Sequence, residues 1–480
     1  MATGNLKERT AKGIAWGAVN NGATQVLNLV FGIFLGRLLS TDDYGILALI
    51  TIFTLLAGCI QAAGFSQALA NLKTPTQRDY NAVAWFNILA GCSMYVVLFL
   101  CAPLIARFFE QPLLTDVSRL AFLTIPLSAT GIVPNAKLWI ELRNRELAIA
   151  AIVSLLTSGI CGVWMAWNGY GYWSLAWQQI IYISVATLFK YYYTGWIPTL
   201  PVDFSPIKRM FGFSSKMLIT NMLTVISQNV LTFIFGKLLP ISTVGLFTQA
   251  NKWNTMGSSF ISNTMAQVAQ PVLASINEEE NRQERVFRKM LRFISFVSFP
   301  LMFGLALVAH EFILLTVGPK WEQCVPLLQI LCLGGAFLPL HVIYQNYIIS
   351  RGRSDLYLRT VVLQIILQIG ITLCLSSFGI TIMVAAFSLL NLCFTLIWHY
   401  TMRRIHPLSV LSALKDTLPF AFIAALCMIL VYYCTLWTET LWLLLCVRMV
   451  LVAIIYIGVM KLLHVKTLED CLTFIKNSFL

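Results

Sequence analysis

The sequence predicts an all-α polytopic membrane protein with about 14 transmembrane helices. We expect two parallel six-helix lobes around a central cavity, followed by two C-terminal helices. Apolar residues make up 58% of the 480 residues and charged residues 11%, against about 45–50% and about 25% in soluble proteins. The apolar residues fall in long runs, and short motifs recur between the two halves of the chain. A soluble fold of this length could not cover so much apolar surface with so few charges.

Apolar runs of about 18–25 residues define the spans. The run at 117–140 is interrupted by two prolines and a glycine, and the run at 244–272 is unusually polar. The first run is too long for the apolar core of a signal peptide, so we expect it to be retained as a helix. The predicted spans are 13–36, 44–70, 82–107, 117–140, 147–167, 171–194, 212–239, 244–272, 291–315, 325–350, 357–377, 379–400, 418–438 and 440–463.

The basic residues give these spans an orientation. If the N-terminus is cytoplasmic, 26 of the 33 lysines and arginines fall on the inner side and five on the outer side. This is the asymmetry that the positive-inside rule describes. The net charge of +13 is therefore mainly a topology signal, and no nucleic-acid partner is expected. Lys252 and Arg448 lie within spans, and Arg448 could contact either lipid headgroups or a neighbouring helix.

The chain contains an internal repeat. Gly36-Arg37-Leu38-Leu39 recurs as Gly236-Lys237-Leu238-Leu239, and Tyr44-Gly45 recurs as Val244-Gly245, both at an offset of 200. Later matches, such as Gly171 with Gly379, have an offset of 208. Because each half has an even number of spans, the repeats are parallel, as in transporters whose lobes rock about a cleft. The predicted divisions are an N-terminal lobe at 1–194, a cytoplasmic linker at 195–211, a C-terminal lobe at 212–402, and the last two helices with a cytoplasmic tail at 403–480.

Polar side chains share one face in the first two spans of each half. Such amides either join neighbouring helices or line a cavity. Their recurrence in both halves favours a cavity, and a lining with many hydrogen-bonding groups and little charge suits a sugar. The predicted cavity residues are Asn21, Gln25, Asn28, Gln67, Asn221, Gln228, Lys252, Asn263 and Gln267.

The charged residues near the spans indicate which ligands and which kind of ion coupling are expected. Lys252 either extends to the outer surface or binds an anionic group such as phosphate in the cavity. Arg37 and Lys237, at matching outer helix ends, are either interface anchors or a basic rim. Acidic residues fall in loops or near helix ends, so coupling to an ion through a carboxylate at mid-membrane is not supported.

Enzyme, cofactor and metal motifs are absent from the sequence. There is no G-x-x-x-x-G-K-[ST] loop, so we expect no ATP-driven pump. The cysteines and histidines lack zinc-ligand spacing, so no metal site and no cofactor are predicted. His341 lies well inside a span and is interpreted as a packed, hydrogen-bonded histidine.

Three segments carry a family resemblance: Lys12-Gly13-Ile14-Ala15-Trp16, Gly36 to Gly45, and Gly64-Phe65-Ser66-Gln67-Ala68-Leu69. They are similar to the opening of bacterial polysaccharide (O-antigen or exopolysaccharide) flippases of the Wzx/WzxC type. These belong to the multidrug/oligosaccharidyl-lipid/polysaccharide (MOP) exporter superfamily. Residues 211–274 resemble the family's seventh and eighth helices, although Val244 stands where an aromatic residue is common.

The resemblance implies a transporter rather than an enzyme. Such a flippase moves undecaprenyl-diphosphate-linked oligosaccharide across the cytoplasmic membrane of bacteria by alternating access, for surface polysaccharide synthesis. Its partners would be the lipid-linked oligosaccharide, membrane lipids, and the polysaccharide polymerase and glycosyltransferases. Both termini would be cytoplasmic.

Three other functions stay open at this point. A cation-coupled small-molecule or drug exporter of the same fold would be favoured by a carboxylate at mid-span. A membrane glycosyltransferase or ligase would need a catalytic carboxylate or a large outer loop. A scaffold in a polysaccharide-synthesis complex would not need the polar cavity faces.

Overall fold

The structure, a computed structural model, describes residues 2–62, 64–72, 75–200, 203–276, 279–406, 408–438, 440–469 and 473. Helices account for nearly all of these residues, and no strand occurs among them. The predicted all-α class is therefore confirmed.

The first helices in chain order are α1 (Ala2–Leu38), α2 (Thr41–Ala62), α3 (Phe65–Asn71), α4 (Gln77–Phe108), α5 (Leu114–Ala121), α6 (Thr124–Ile140), α7 (Asn144–Trp167), α8 (Tyr172–Thr194) and α9 (Ser205–Leu238). They are followed by α10 (Ile241–Ser275), α11 (Glu280–Leu307), α12 (Ala309–Thr316), α13 (Cys324–Gly335), α14 (Leu338–Ser350), α15 (Ser354–Cys374), α16 (Ile380–Arg403), α17 (Val410–Cys434) and α18 (Leu441–Leu462). Short 3₁₀ turns lie at Pro319–Trp321 and Ser376–Phe378.

Each predicted span coincides with one helix or with a broken pair. The run at 117–140, which contains Pro126, forms α5 and α6, and the run at 325–350 forms α13 and α14. Among the described residues, 11 helical segments are long and apolar enough to cross a membrane. Helices α1, α8 and α10 are not among these segments, since each carries polar side chains along its length. The number of 14 spans stays a prediction.

The chain divides into two compact units, Met1–Gly245 and Leu246–Leu480. In the first unit α9 packs against α2, α3 and α4, so this boundary falls inside α10 rather than in the predicted linker at 195–211. The linker itself is fixed to α4, because the Asn81 side chain hydrogen-bonds to Thr199 and Trp196 Nε1 donates to Gln77 Oε1 over 2.8 Å. The lobe limits derived from the repeat stay a prediction.

A buried aspartate anchors one end of each unit. In the first unit, Asp79 of α4 caps its own helix and accepts a 2.7 Å hydrogen bond from Arg209 of α9. In the second unit, Asp416 of α17 accepts 2.6 Å and 2.7 Å hydrogen bonds from Arg288 and Arg292 of α11. The acid lies on the earlier helix in one unit and on the later helix in the other.

At the predicted outer side, one ion pair in each unit joins two segments. Lys237 of α9 donates to Glu110 Oε1 over 2.8 Å and to the Phe108 carbonyl over 2.9 Å, and both side chains are exposed. This hydrogen bond and the lysine charge lower the pKa of Glu110. Arg448 of α18 pairs with Glu311 over 2.7 Å, and their side chains are only 8% and 4% exposed. Arg448 therefore contacts neighbouring helices.

The repeated glycines of the Tyr44-Gly45 and Val244-Gly245 motifs have a steric reason. They lie where α2 and the start of α10 cross, within the first unit. A Cβ atom on Gly45 would collide with the carbonyl oxygen of Ile241, and one on Gly245 would collide with that of Thr41. Only glycine permits so close an approach of two backbones.

Candidate functional site

Polar side chains of α8 line cavities along most of the length of this helix. They are Gln178, Gln179, Tyr182, Thr187 and Lys190, and of these Gln178, Tyr182 and Lys190 share one face. At a rise of about 1.5 Å per residue, Gln178 and Lys190 are ~18 Å apart along the helix. That is more than half of the roughly 30 Å hydrocarbon core of a membrane.

The α6–α8 cavity lies around the inner half of this face. Its volume is about 240 Å³. The ten residues that line it include one charged side chain, Lys190, and no carboxylate. They are Ser66, Ser128, Gly131, Ile132, Asn135, Tyr182, Ile183, Ala186, Thr187 and Lys190.

The α1–α8 cavity adjoins it and shares Tyr182 and Ile183 as a common wall. Its volume is about 470 Å³. Its lining contains hydroxyl and amide groups but no charged side chain. The residues are Thr24, Asn28, Thr51, Thr54, Leu55, Thr124, Leu155, Ser158, Gln178, Gln179, Tyr182 and Ile183.

Hydrogen bonds between α2, α6 and α8 hold the cavity walls in place. Tyr191 OH donates to the Thr130 carbonyl over 2.9 Å, and Ser128 Oγ donates to Gln61 Oε1 over 3.2 Å. Gln61 is 2% exposed, and its Nε2 has no hydrogen-bond partner among the described residues. A buried amide without a partner is unfavourable, and Gln61 lies behind Ser128 rather than in the lining of either cavity.

The predicted cavity residues have different surroundings. Of the nine, only Asn28 lines either of the two cavities. Asn21, Gln228 and Asn263 are exposed, and Gln25 and Asn221 are half-buried. The side chains of Gln67 and Gln267 lie outside the described residues. An exposed amide within a span is unfavourable against lipid, which supports a wet surface on α1, α9 and α10. Their role in a substrate cavity stays a prediction.

The predicted cations are also placed. Lys252 lies on α10 beside the buried Trp253, with its Nζ 5.4 Å from the centre of the indole ring. Arg37 is exposed at the end of α1, and Lys237 is held by Glu110 and Phe108. Neither a basic rim at Arg37 and Lys237 nor phosphate binding by Lys252 is tested by this arrangement.

The α8 face was missed by the sequence reasoning, which looked for polar faces only in the first two spans of each half. Lys190 is one of the 26 basic residues on the predicted inner side, where it serves as a topology signal. The usable signal was the spacing of Gln178, Tyr182, Ala186 and Lys190, four residues apart on one helix face. In the part of the chain that the structure describes, no three His, Cys, Asp or Glu side chains form a group that could bind a metal.

A comparison with protein-family models identifies the relatives of this chain. Residues 34–326, more than half of the sequence, match the model described as "Polysaccharide biosynthesis protein". The chain belongs to this polysaccharide biosynthesis family. The resemblance seen in the sequence is confirmed.

Two curated relatives of the family are similar along most of the chain. The teichuronic acid biosynthesis protein TuaB of Bacillus subtilis (strain 168) is 23% identical, over 73% of this chain and 73% of its own length. The lipopolysaccharide biosynthesis protein WzxC of Escherichia coli (strain K12) is also 23% identical, over 73% of this chain and 72% of its own length.

Among solved structures, the lipid II flippase MurJ in an inward closed conformation has the same fold. The TM-score is 0.73 at 14% identity, and the match covers 94% of this chain and 99% of MurJ. This member of the polysaccharide biosynthesis family thus shares the fold of MurJ.

Proposed function

We propose that this protein is a flippase for lipid-linked oligosaccharide. It moves polyprenyl-diphosphate-linked glycan units from the inner to the outer leaflet of the bacterial cytoplasmic membrane by alternating access. The units are then used in surface polysaccharide synthesis, and the polymerase and glycosyltransferases of that synthesis are its expected partners. Both chain termini are cytoplasmic in this proposal.

The observation that carries the proposal is the lining of the two cavities in the first unit. Hydroxyl and amide groups dominate this lining, with one cation and no carboxylate. Such groups both donate and accept hydrogen bonds, as the many hydroxyls of a glycan require. The relatives WzxC, a lipopolysaccharide biosynthesis protein, and MurJ, a lipid II flippase, support the same class of substrate.

The lining also separates this function from the alternative of a cation-coupled drug exporter. A carboxylate within the membrane is the usual group for binding a coupling ion or a cationic drug. Among the described residues, neither cavity contains one.

A leaflet assay tests the proposal. The purified protein is reconstituted into liposomes that contain a polyprenyl-diphosphate oligosaccharide, and a membrane-impermeant glycosidase measures the fraction of glycan outside. We expect this fraction to rise above the protein-free value in a protein-dependent manner. No increase with several glycans and ion gradients would contradict the proposal and favour a scaffold.

Substitution of Lys252 tests the prediction that this lysine binds an anionic group of the substrate. In cells, Lys252→Ala should reduce surface glycan while the amount of protein in the membrane stays unchanged. Lys252→Arg should retain part of the export, because it keeps the charge. Lys461→Ala, which removes an exposed lysine at the end of α18, is the matched control. Normal export by Lys252→Ala would show that this lysine has no central role.

A further inference from the structure

We propose that Lys190 and the α6–α8 cavity form a binding subsite for the phosphoryl groups of the substrate. The inference rests on the proposed function, because the diphosphate of a lipid-linked glycan supplies these groups. The glycan itself would then occupy the uncharged α1–α8 cavity next to it.

The first argument is the unbalanced charge of Lys190. Its side chain is half-buried and forms no ion pair with any described residue. The nine other residues of the cavity lining are neutral. A cation placed among neutral groups within a membrane protein is unfavourable unless an anion joins it. The cavity therefore has the charge expected of an anion site without its ligand.

The second argument is the set of donors around the lysine. Ser66, Ser128, Tyr182 and Thr187 supply hydroxyls, and Asn135 supplies an amide. Hydrogen bonds from such groups and from an ammonium to phosphate oxygens are charge-assisted and stronger than neutral ones. A sugar alone would satisfy these hydroxyls and the Asn135 amide but would leave the lysine charge uncompensated.

The third argument is that the space beside Lys190 is large enough for a ligand. The cavity has a volume of about 240 Å³, and the small side chain of Ala186, one turn before Lys190 on α8, lines it. The site thus combines a cation, several donors and room for a ligand.

The position of Lys190 fits the loading side of the transport cycle. It lies four residues before the end of α8 at Thr194, about 6 Å along the helix axis. The charge distribution of the loops puts this end at the cytoplasmic side, where lipid-linked precursors are made available. A phosphoryl group could reach Lys190 while its polyprenyl chain remains in the inner leaflet.

A binding experiment on the full chain in phosphatidylcholine nanodiscs tests the subsite. The probe is radiolabelled undecaprenyl diphosphate without a glycan, and undecaprenol serves as the uncharged control lipid. Lys190→Gln should weaken binding of the diphosphate by about tenfold to hundredfold, the range expected for a lost hydrogen bond between charged groups. Lys190→Arg should restore most of it, and Lys208→Gln, an exposed lysine at the cytoplasmic start of α9, should bind like the wild type.

A second variant tests whether the cavity space is needed for binding when the lysine charge is kept. Ala186→Phe keeps Lys190 but fills the space beside it, so it should also lose diphosphate binding while the protein remains monodisperse. If Lys190→Gln or Ala186→Phe bound undecaprenyl diphosphate as tightly as the wild type, the proposal would be wrong. Equal displacement of the probe by the same concentration of phosphatidylglycerol would assign the site to lipid headgroups and overturn its assignment to substrate.

The leaflet assay on the same variants distinguishes the two proposals. A wild-type protein that binds the diphosphate through Lys190 but moves no glycan would overturn the flippase function and leave the subsite standing. A protein that flips glycan equally well with Lys190→Gln, and binds the probe unchanged, would overturn only the subsite.

Discussion

The α6–α8 cavity of the first unit has a counterpart in the second unit that is filled. Helices α8 and α16 both follow a glycine of positive φ, Gly171 at 53° and Gly379 at 84°, which lie 208 residues apart. At that offset two of the α8 residues that line the cavity, Ala186 and Lys190, have aromatic partners, and both aromatic side chains are fully buried. Ala186 corresponds to Phe394, Thr187 to Thr395, and Lys190 to Trp398.

The helices opposite show the same difference. The turns after α6 and α14 contain Leu142 and Gly352, which have positive φ and lie 210 residues apart, so that Gly131 corresponds to His341. Gly131 has no side chain and packs closely against Thr187, whereas His341 Nε2 lies 3.0 Å from Thr395 Oγ1 and 3.0 Å from the Asn391 carbonyl oxygen. The interpretation of His341 as a packed, hydrogen-bonded histidine is confirmed.

The two units therefore use one framework for two purposes. In the first, small side chains leave polar groups accessible, and the outer ion pair of Lys237 and Glu110 is exposed. In the second, aromatic rings and a histidine fill the same region, and the outer ion pair of Arg448 and Glu311 is buried. At this position of the framework, ligand binding is therefore expected in the first unit and not in the second.

The largest effect is expected from giving the second unit the residue of the first. Trp398→Lys removes a fully buried ring and places a charge in its position, and loss of a buried Trp alone costs about 3–5 kcal/mol. We expect little or no folded protein, measured as the monodisperse fraction after detergent extraction. The reciprocal Lys190→Trp should fold, because its position borders a cavity. Equal yields of the two variants would contradict the comparison.

An intermediate effect is expected from Glu311→Gln. It leaves Arg448 buried without its carboxylate, and removal of one partner from a buried ion pair costs about 3–5 kcal/mol. The expected result is a clearly lower Tm of the purified protein in detergent. A Tm equal to that of the wild type would mean that water reaches Arg448, against its exposure of 8%.

The smallest effect is expected from Glu110→Gln in the first unit. Because Lys237 lowers the pKa of Glu110 in the folded protein, the pair stabilises the fold above the unfolded Glu pKa of about 4.3. This contribution is lost as the pH falls through the lower, folded pKa. The Tm difference between wild type and variant should be small at pH 7 and vanish in acid. A difference that grew in acid would contradict this sign.

The fold could be predicted because the membrane imposes simple rules. Span length, loop charge and repeated glycines such as Gly45 and Gly245 are local features, and each has a direct physical reason in the structure. The cavities could not be predicted in the same way. Lys190 was hidden because a lysine near the inner end of a span satisfies the positive-inside rule, whatever it faces. Only the packing of α6 against α8 shows that it lines a cavity.

The anchoring aspartates also bear on how the chain is assembled during synthesis. Asp79 is synthesised 130 residues before its partner Arg209. At a synthesis rate of about 5–20 residues per second, Arg209 follows ~7–26 s later. In the second unit the order is reversed, because Arg288 is synthesised 128 residues before Asp416. The end of the first unit that Asp79 anchors therefore stays incomplete until α9 has left the ribosome.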